Sequence, residues 1–387
     1  MWGNFIESWH ELDEGEEMTL EKGTHEAGKR LESLDALRGF DMFWIIGGAW
    51  IFGNLHQIFN NPITGFIDRQ LQHVPWVGFQ FWDLIMPLFL FIVGVAMPFS
   101  FAKRLARGSS HKKLYFHIII RFFILFILGI IAQGHLLSYD LSKLAIYCNT
   151  LQAIAAGYLI GSILLLNLNI KWQIGVTTGL LLLFWALMAW VPVPGYGAGQ
   201  LTSEGNLAMY LDKLLLGSFQ DGTTYTWILS SLTFAGTVML GVFGGLLLRS
   251  KKTQIQKVLW LFGAGVLSIG LGLIWSIWFP IIKHLWTSSF VLFSGGLCYL
   301  LLGLFYLIID VWGYRKWAYV FKIIGMNAIF VYMITRLFDF RRIGDIFVGG
   351  LADRLGSWNG LIQGMAGFLV IWLILYWMYK ERTFVKI

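Results

Sequence analysis

A histidine and an aspartate ten residues apart, in the stretch LQHVPWVGFQFWDLIM at 71–86, are the side chains best suited to proton transfer. Imidazole takes up and releases protons near neutral pH, and a carboxylate beside it can orient and support it. Asp83 opens an apolar run, where the dipole of a helix N-terminus favours a carboxylate. The sequence therefore predicts His73 as general base or nucleophile and Asp83 as its partner. The alternative is a loop histidine that is solvated, caps a helix or holds Trp76.

A second set of polar residues begins just before the first apolar run and extends into it. Asp35 and Arg38 are three residues apart in RLESLDALRG and share a helix face, so they can pair. Arg38 is either an interfacial anchor or the residue that meets a phosphate-rich donor. Asp41 lies deeper, where a carboxylate faces a cavity or a partner. Its expected partner is Arg121 in the third span, as a structural pair or as the wall of a donor site.

Four further polar residues have two interpretations each. Gln152, at the outer end of the fourth span, bonds either a substrate carbonyl or a neighbouring helix. Glu204, in a Pro/Gly-rich loop, contacts a polar acceptor or serves bonds within the loop. Asn327, inside the ninth span, bonds a neighbouring helix or lines the site, since a buried amide needs partners. Ser288 is placed to cap a helix, and we also assign it to donor binding.

The composition indicates that these residues lie on membrane-spanning helices. The chain has 387 residues, of which 57% are hydrophobic and only 13% charged, and its mean hydropathy is +0.66, whereas soluble domains are about a quarter charged. Apolar runs of about 20 residues recur, the length that crosses a bilayer as a helix. We predict an all-α polytopic membrane protein with about ten spans, at 37–58, 81–102, 114–133, 150–168, 173–191, 227–249, 257–279, 288–312, 318–338 and 361–379.

Charge distribution predicts the orientation of these spans. Most of the 29 Lys and Arg residues fall in alternate loops, which places both termini in the cytoplasm and His73 on the opposite face. The loop at 339–360, with three arginines, runs against this bias. The domains expected are a polar tail at 1–36, the membrane domain at 37–380 and a short tail at 381–387. The two cysteines lack metal-site spacing and no nucleic-acid motif occurs.

Six segments in order carry a family resemblance: RLESLDALRG, HVPWVGFQFWDLIMPLFLFIVG, NTLQAIAAGYL, VPVPGYGAGQLTSEGNLAMYLD, KHLWTSSFVLFSGG and GMNAIFVY. Together, over residues 30–340, they resemble the bacterial relatives of heparan-α-glucosaminide N-acetyltransferase, in a superfamily of transmembrane acyltransferases. The resemblance implies cytoplasmic acetyl-CoA, a terminal glucosamine on the other face, and transfer of acetyl across the membrane without the CoA. It matches His73 to the catalytic histidine, Asp83 to the aspartate that follows it, and Asn327 to the asparagine of GMN.

The sequence departs from the family pattern at two positions. The animal enzyme has an asparagine at the end of its first span that is implicated in catalysis, and Ala49 stands there in this chain; Asn54, Asn60 or Asn61 would have to substitute. The family's LQR is LQA in this chain, with Ala153 in place of the charge.

The combined prediction is an acetyl-CoA-dependent N-acetyltransferase of the bacterial inner membrane. It uses acetyl-CoA as donor, has no tightly bound cofactor or metal, contacts lipid, and accepts an amino sugar or glycan. A homodimer is possible through Gly-rich spans such as 236–245. A transporter or flippase, and an O-acyltransferase acting on exported polysaccharide, are the alternatives. The assigned residues are His73 and Asp83 for catalysis, Trp76, Gln152, Glu204 and Asn327 for substrate, and Arg38, Arg121 and Ser288 for CoA.

Overall fold

The computed structural model describes residues 31–135 and 139–385, and within these ranges the protein is helical. The only strand-like pairing there is an isolated bridge between Val193 and Gly197. The predicted all-α class is therefore confirmed. Most of the predicted polar tail, residues 1–30, lies outside the described residues, and the last part of it already belongs to the first helix, which begins at Glu32.

The α-helices follow one another with mostly short connections. In chain order they are α1 (Glu32–Phe43), α2 (Ala49–Phe59), α3 (Pro62–Gln70), α4 (Ile85–Ala106), α5 (His111–Gln133), α6 (Thr150–Asn167), α7 (Ile170–Trp190), α8 (Leu207–Leu216), α9 (Ser231–Arg249), α10 (Gln254–Trp275), α11 (Ser288–Phe305), α12 (Tyr319–Met326), α13 (Ala328–Leu337), α14 (Phe340–Arg354) and α15 (Asn359–Lys380). Single 3₁₀ or π turns extend several of them.

Eight helical segments of the described residues are long and apolar enough to cross a membrane, and α12 with α13 would make a ninth. That pair is bent by 76° at Asn327. Nine of the ten predicted spans overlap these segments. The first predicted span, 37–58, is not among these segments; between α1 and α2 the chain forms a π turn at Trp44–Gly48 and is kinked by the non-helical backbone of Gly47. These apolar helices indicate a multi-pass membrane protein.

Helices α4 and α9 pack with their backbones in direct contact. A methyl group at Gly94 would overlap the backbone oxygen of Val238, and one at Gly241 would overlap that of Phe91. Small residues allow such close approach in membrane bundles, where van der Waals packing rather than water drives helix association. This seam fixes the position of α4, whose preceding turn carries Asp83.

The two ends of the bundle are distinguished by the helix that starts at Ser288. It begins five residues after Lys283 and continues as one helical segment to Val311, about 36 Å at 1.5 Å per residue. At its far end Asp310 Oδ2 accepts the backbone N–H of Ser33, 3.3 Å away. The first turn of α1 therefore lies at the end opposite Lys283.

Candidate active site

The loop before α4 brings His73 and Asp83 together. A 3₁₀ turn, Phe81–Leu84, leads into the helix and carries Asp83, which is 1% exposed. Its Oδ1 lies 2.8 Å from Nδ1 of His73. Its Oδ2 accepts the backbone N–H groups of Gln80, at 3.1 Å, and Val74, at 3.4 Å. One carboxylate thus fixes both the turn and the imidazole. The His73 side chain is still 43% exposed.

Lys283, from the loop between α10 and α11, completes this group. Its Nζ lies 3.3 Å from Asp83 Oδ1 and 3.2 Å from His73 Nδ1. The side chain is only 7% exposed, and burial lowers the pKa of Lys283 to about 8, against the opposing attraction of Asp83. Sequence analysis missed this residue, which is 210 positions from His73. The available signal was a lysine flanked by apolar residues in PIIKHLW.

The hydrogen bonds assign the tautomer of His73. Nδ1 of His73 and Nζ of Lys283 both approach the same Asp83 oxygen. Because a carboxylate oxygen accepts hydrogen bonds, we assign a proton to Nδ1, which donates it to that oxygen. Among the described residues, the polar atoms close to this imidazole lie at Nδ1: Asp83 Oδ1 accepts its proton, and Lys283 Nζ, which is also a donor, stands 3.2 Å away. Nε2 is therefore left as the basic atom of the ring.

His73 lines a cavity of about 370 Å³, the His73 cavity, a size typical of small-molecule sites. Its outer wall contains polar groups from three elements, and its inner end is apolar. Besides His73 and Lys283, the polar residues include Asn149, Asp221, Thr223, Tyr225 and Arg336; the apolar ones include Ile45, Ile85 and Phe89. Burial, and secondarily the charge of Asp83, raise the pKa of Tyr225 to about 12, so its hydroxyl stays protonated at neutral pH.

A second cavity, of about 540 Å³, lies on the same face and is lined by Trp76 (the Trp76 cavity). Thr202, Ser203 and Thr224 also line it. The indole N–H of Trp76 donates to the backbone oxygen of Leu201 at 2.8 Å, which ties the loop before α4 to the loop before α8. The predicted substrate residue Glu204 is exposed and lines neither cavity.

Two predicted ligand residues use their polar atoms to hold the fold. Gln152 is fully buried; its Oε1 accepts the backbone N–H of Cys148 at 2.8 Å, and its amide donates to two backbone carbonyls. Ser288, predicted to bind CoA, is also buried and donates to the backbone oxygen of Leu181 at 2.7 Å. The structure thus favours helix packing for Gln152, and the Ser288 hydroxyl joins α11 to α7.

Asn327 also has a structural use for its amide. Its side chain is buried; Nδ2 donates to the backbone oxygen of Thr383 at 3.2 Å, and Oδ1 accepts the backbone N–H of Val385 at 2.9 Å. It therefore holds the segment after α15 against the break between α12 and α13. Of the two interpretations of Asn327, the geometry favours bonding to neighbouring backbone.

The expected pair between Asp41 and Arg121 is wrong. Arg121 lies over the ring of Tyr158, 4.5 Å from its centroid, a cation–π contact. Asp41 is fully buried, and neither carboxylate oxygen has a hydrogen-bond partner among the described residues. Arg38 is near Asp35, at 3.5 Å, and donates to the backbone oxygen of Gly325 at 3.4 Å. Arg38 lies seven residues before Ile45, at the end of the bundle opposite His73.

Comparisons with known proteins agree with the predicted resemblance. The family model "Domain of unknown function (DUF5009)" matches residues 30–240. Heparan-alpha-glucosaminide N-acetyltransferase of Mus musculus is 27% identical over 380 residues, covering 82% of this chain and 56% of that protein. The Homo sapiens protein of the same name is 25% identical over 427 residues, covering 92% and 60%. The chain thus spans a little over half the length of these curated relatives.

Proposed function

The chain belongs to the family of the domain of unknown function DUF5009, and from this premise we propose that it is a transmembrane acetyltransferase. The proposed donor is acetyl-CoA on the cytoplasmic side, and the acceptor is the amine of an amino sugar on the opposite face. The similarity to two proteins named as N-acetyltransferases supports the reaction class. The observation that carries the proposal is the His73 imidazole, oriented by Asp83 at 2.8 Å and lining a cavity.

His73 Nε2 can serve this reaction in two ways. As a general base it takes a proton from the acceptor amine while the nitrogen attacks the thioester carbonyl, and CoA leaves as the thiolate. As a nucleophile it forms a bond to the acetyl carbon, expels the thiolate, and later releases acetyl to the amine. In both routes Asp83 holds the tautomer and balances the positive charge that develops on the ring.

Helix α1 and the π turn after it offer a direction for the donor. Arg38 and Asp41 are three residues apart on α1 and share one face, and Ile45 follows them in the π turn Trp44–Gly48. Arg38 lies at the end opposite His73 and Ile45 lines the His73 cavity, with about 10 Å of helix axis between them. A CoA with its phosphates beside Arg38 would direct its extended arm along this face toward His73. We assign donor binding to this stripe.

The acceptor is assigned to the outer loops. The His73 cavity combines a carboxylate, Asp221, with hydroxyl and amide groups, which suits an amine-bearing sugar. Trp76 and the three hydroxyl side chains of the neighbouring Trp76 cavity provide a stacking surface and hydrogen bonds for a further part of a glycan.

The test is acetyl transfer by the purified protein in lipid nanodiscs, measured as release of the CoA thiol with glucosamine as acceptor. Wild-type protein should release CoA only when the acceptor is present or, in the nucleophilic route, show a single-turnover burst without it. His73→Ala should fold and bind CoA but lose transfer by about 10²-fold or more. His56→Ala is the matched control, because His56 bonds Thr64 outside the site and should keep full activity.

Two further comparisons separate the alternatives. Asp83→Asn should lower the rate while CoA binding persists, because the carboxylate that fixes the tautomer is lost. N-acetylglucosamine lacks the free amine, so transfer to it would indicate an O-acyltransferase. Absence of both CoA binding and transfer in folded wild-type protein would leave the transporter alternative, and wild-type rates in a folded His73→Ala would reject this site.

A further inference from the structure

Lys283 is buried and makes its ion pair with a carboxylate that already serves His73. Among the described ion pairs, its partner is Asp83, 3.3 Å away. Burying an ammonium is costly unless it is paired and hydrogen-bonded. Lys283 is not the only partner of Asp83. His73 Nδ1 contacts the same carboxylate oxygen and lies 3.2 Å from Nζ. One negative charge is therefore shared by two groups that can each be positive.

The charge count disfavours a positive imidazole. With Lys283 protonated and Asp83 ionised, the pair is neutral overall, and a proton added to His73 would place two positive groups within 3.2 Å. Like charges at that distance oppose protonation. In the same arrangement Nδ1 keeps its proton and donates it in a hydrogen bond to Asp83. Nε2 is therefore the ring nitrogen without a proton.

The remaining charged and titratable groups around His73 are neutral, or line the cavity without a hydrogen bond or ion pair to the imidazole among the described residues. Tyr225 and Trp82 have ring centroids 6.4 and 6.1 Å from the imidazole. Burial lowers the pKa of His284 to about 4, and burial raises that of Cys148 to about 12, so both are neutral at pH 7. Asp221 and Arg336, on the cavity wall, have opposite charges. Asp83 and Lys283 are in direct contact with the imidazole, so their charges determine whether it takes up a second proton.

We propose that Lys283 is a positioning residue that keeps the His73 imidazole neutral, with the Nε2 lone pair available to the substrates. The proposal rests on the acyltransferase function given above and deepens it. A neutral ring is the form that removes a proton from an amine or attacks a thioester. In the nucleophilic route the ammonium also raises the energy of an acetyl-imidazolium, which makes that group easier to transfer to the acceptor.

The experiment reads the protonation of His73 without requiring turnover. Diethyl pyrocarbonate acylates neutral imidazole, and mass spectrometry of the His73 peptide gives the pH at which modification is half-maximal. Lys283→Met and Lys283→Gln remove the charge, and Gln keeps a hydrogen-bond donor toward Asp83. In both we expect this midpoint to move up by about 1 pH unit or more. Lys283→Arg, which retains the charge, should stay near wild type.

Activity gives the second readout. The acid limb of the rate of acetyl transfer should move to higher pH in the neutral variants and return in Lys283→Arg. A folded neutral variant with the wild-type midpoint would overturn the proposal. Loss of folding in both neutral variants, with Lys283→Arg folded, would assign the charge to stability and also overturn it. A shifted midpoint in a protein without transfer activity would support the effect of Lys283 and reject the acyltransferase function separately.

Discussion

The ring of His284 stacks on Tyr225, with centroids 4.1 Å apart and 7° between the planes. Its Nδ1 also lies 2.6 Å from the hydroxyl of Thr224. Burial, together with the charge of the adjacent Lys283, lowers the pKa of His284 to about 4. Two histidines therefore lie in the loops at this end of the bundle with different partners. His284 is a neutral part of the wall, and His73, bonded to a carboxylate, is the one suited to proton transfer.

Arg38→Ala should weaken CoA binding by about 1.5–3 kcal/mol, the range for loss of a charged hydrogen bond. The reason is its position at the end of the bundle where α1 begins, with its side chain still 25% exposed. Binding is measured by isothermal titration of CoA into protein in nanodiscs. Lys316→Ala is the control, because Lys316 is exposed at the same end. Unchanged CoA affinity and activity in a folded Arg38→Ala would make Arg38 an anchor.

Arg107→Cys and Phe66→Cys should differ in their labelling by an impermeant thiol reagent in intact cells. Arg107 follows the end of α4 opposite Asp83, in a basic loop predicted to be cytoplasmic, so it should be shielded. Phe66, exposed on α3 near His73 in the chain, should be labelled. The native cysteines are buried, which keeps the background low. The reverse pattern would place His73 in the cytoplasm and remove the need for transfer across the membrane.

Asp41→Leu should raise the melting temperature. Both oxygens of Asp41 are buried without a hydrogen-bond partner, and removing an unpaired polar group of this kind relieves about 1–3 kcal/mol. Leucine keeps the same branched side-chain skeleton and carries no polar atom. Asp310→Leu is the contrasting control, since Asp310 accepts the backbone N–H of Ser33 and its loss should lower the melting temperature. Destabilisation by Asp41→Leu would show that the carboxylate has a partner the hydrogen bonds do not reveal.

Ionisation of Asp212 should make the folded protein less stable as the pH rises from about 4 to about 6. Burial raises its pKa to about 6 from 3.8, although the backbone N–H groups of Ile228 and Trp227 oppose the shift. The folded state therefore holds the proton more tightly than the unfolded chain, and stability is lost as the group ionises. The melting temperature of wild type minus that of Asp212→Asn should fall across this interval and level off above it. Parallel curves for the two proteins would contradict this.

The local part of the site was predictable, and the long-range part was not. His73 and Asp83 are ten residues apart, and the turn chemistry between them limits how far they can separate, so their meeting followed from the sequence. Lys283 comes from a loop between two much later helices, and its approach depends on how α11 packs beside α4. No periodicity in the chain encodes that packing.

The errors concern polar residues inside spans. Hydropathy places Asp41 and Arg121 at membrane depth, and opposite charges there suggest a pair. The structure gives Arg121 an aromatic ring instead, because the face of Tyr158 also attracts a cation. Gln152 and Ser288 are a different case: the side-chain type shows the capacity to hydrogen-bond, and only the structure shows that backbone groups are the partners.

The seam between Gly94 and Gly241 limits how sequences of this fold can diverge. A larger side chain at either position meets main-chain oxygen of the partner helix, which no second substitution can trim. Positions that face lipid or the cavities are free of this constraint, so the lining of a cavity can change without moving the two helices apart. The distance between α4 and α9 stays the same when such positions change, and so does the position of Asp83 just before α4.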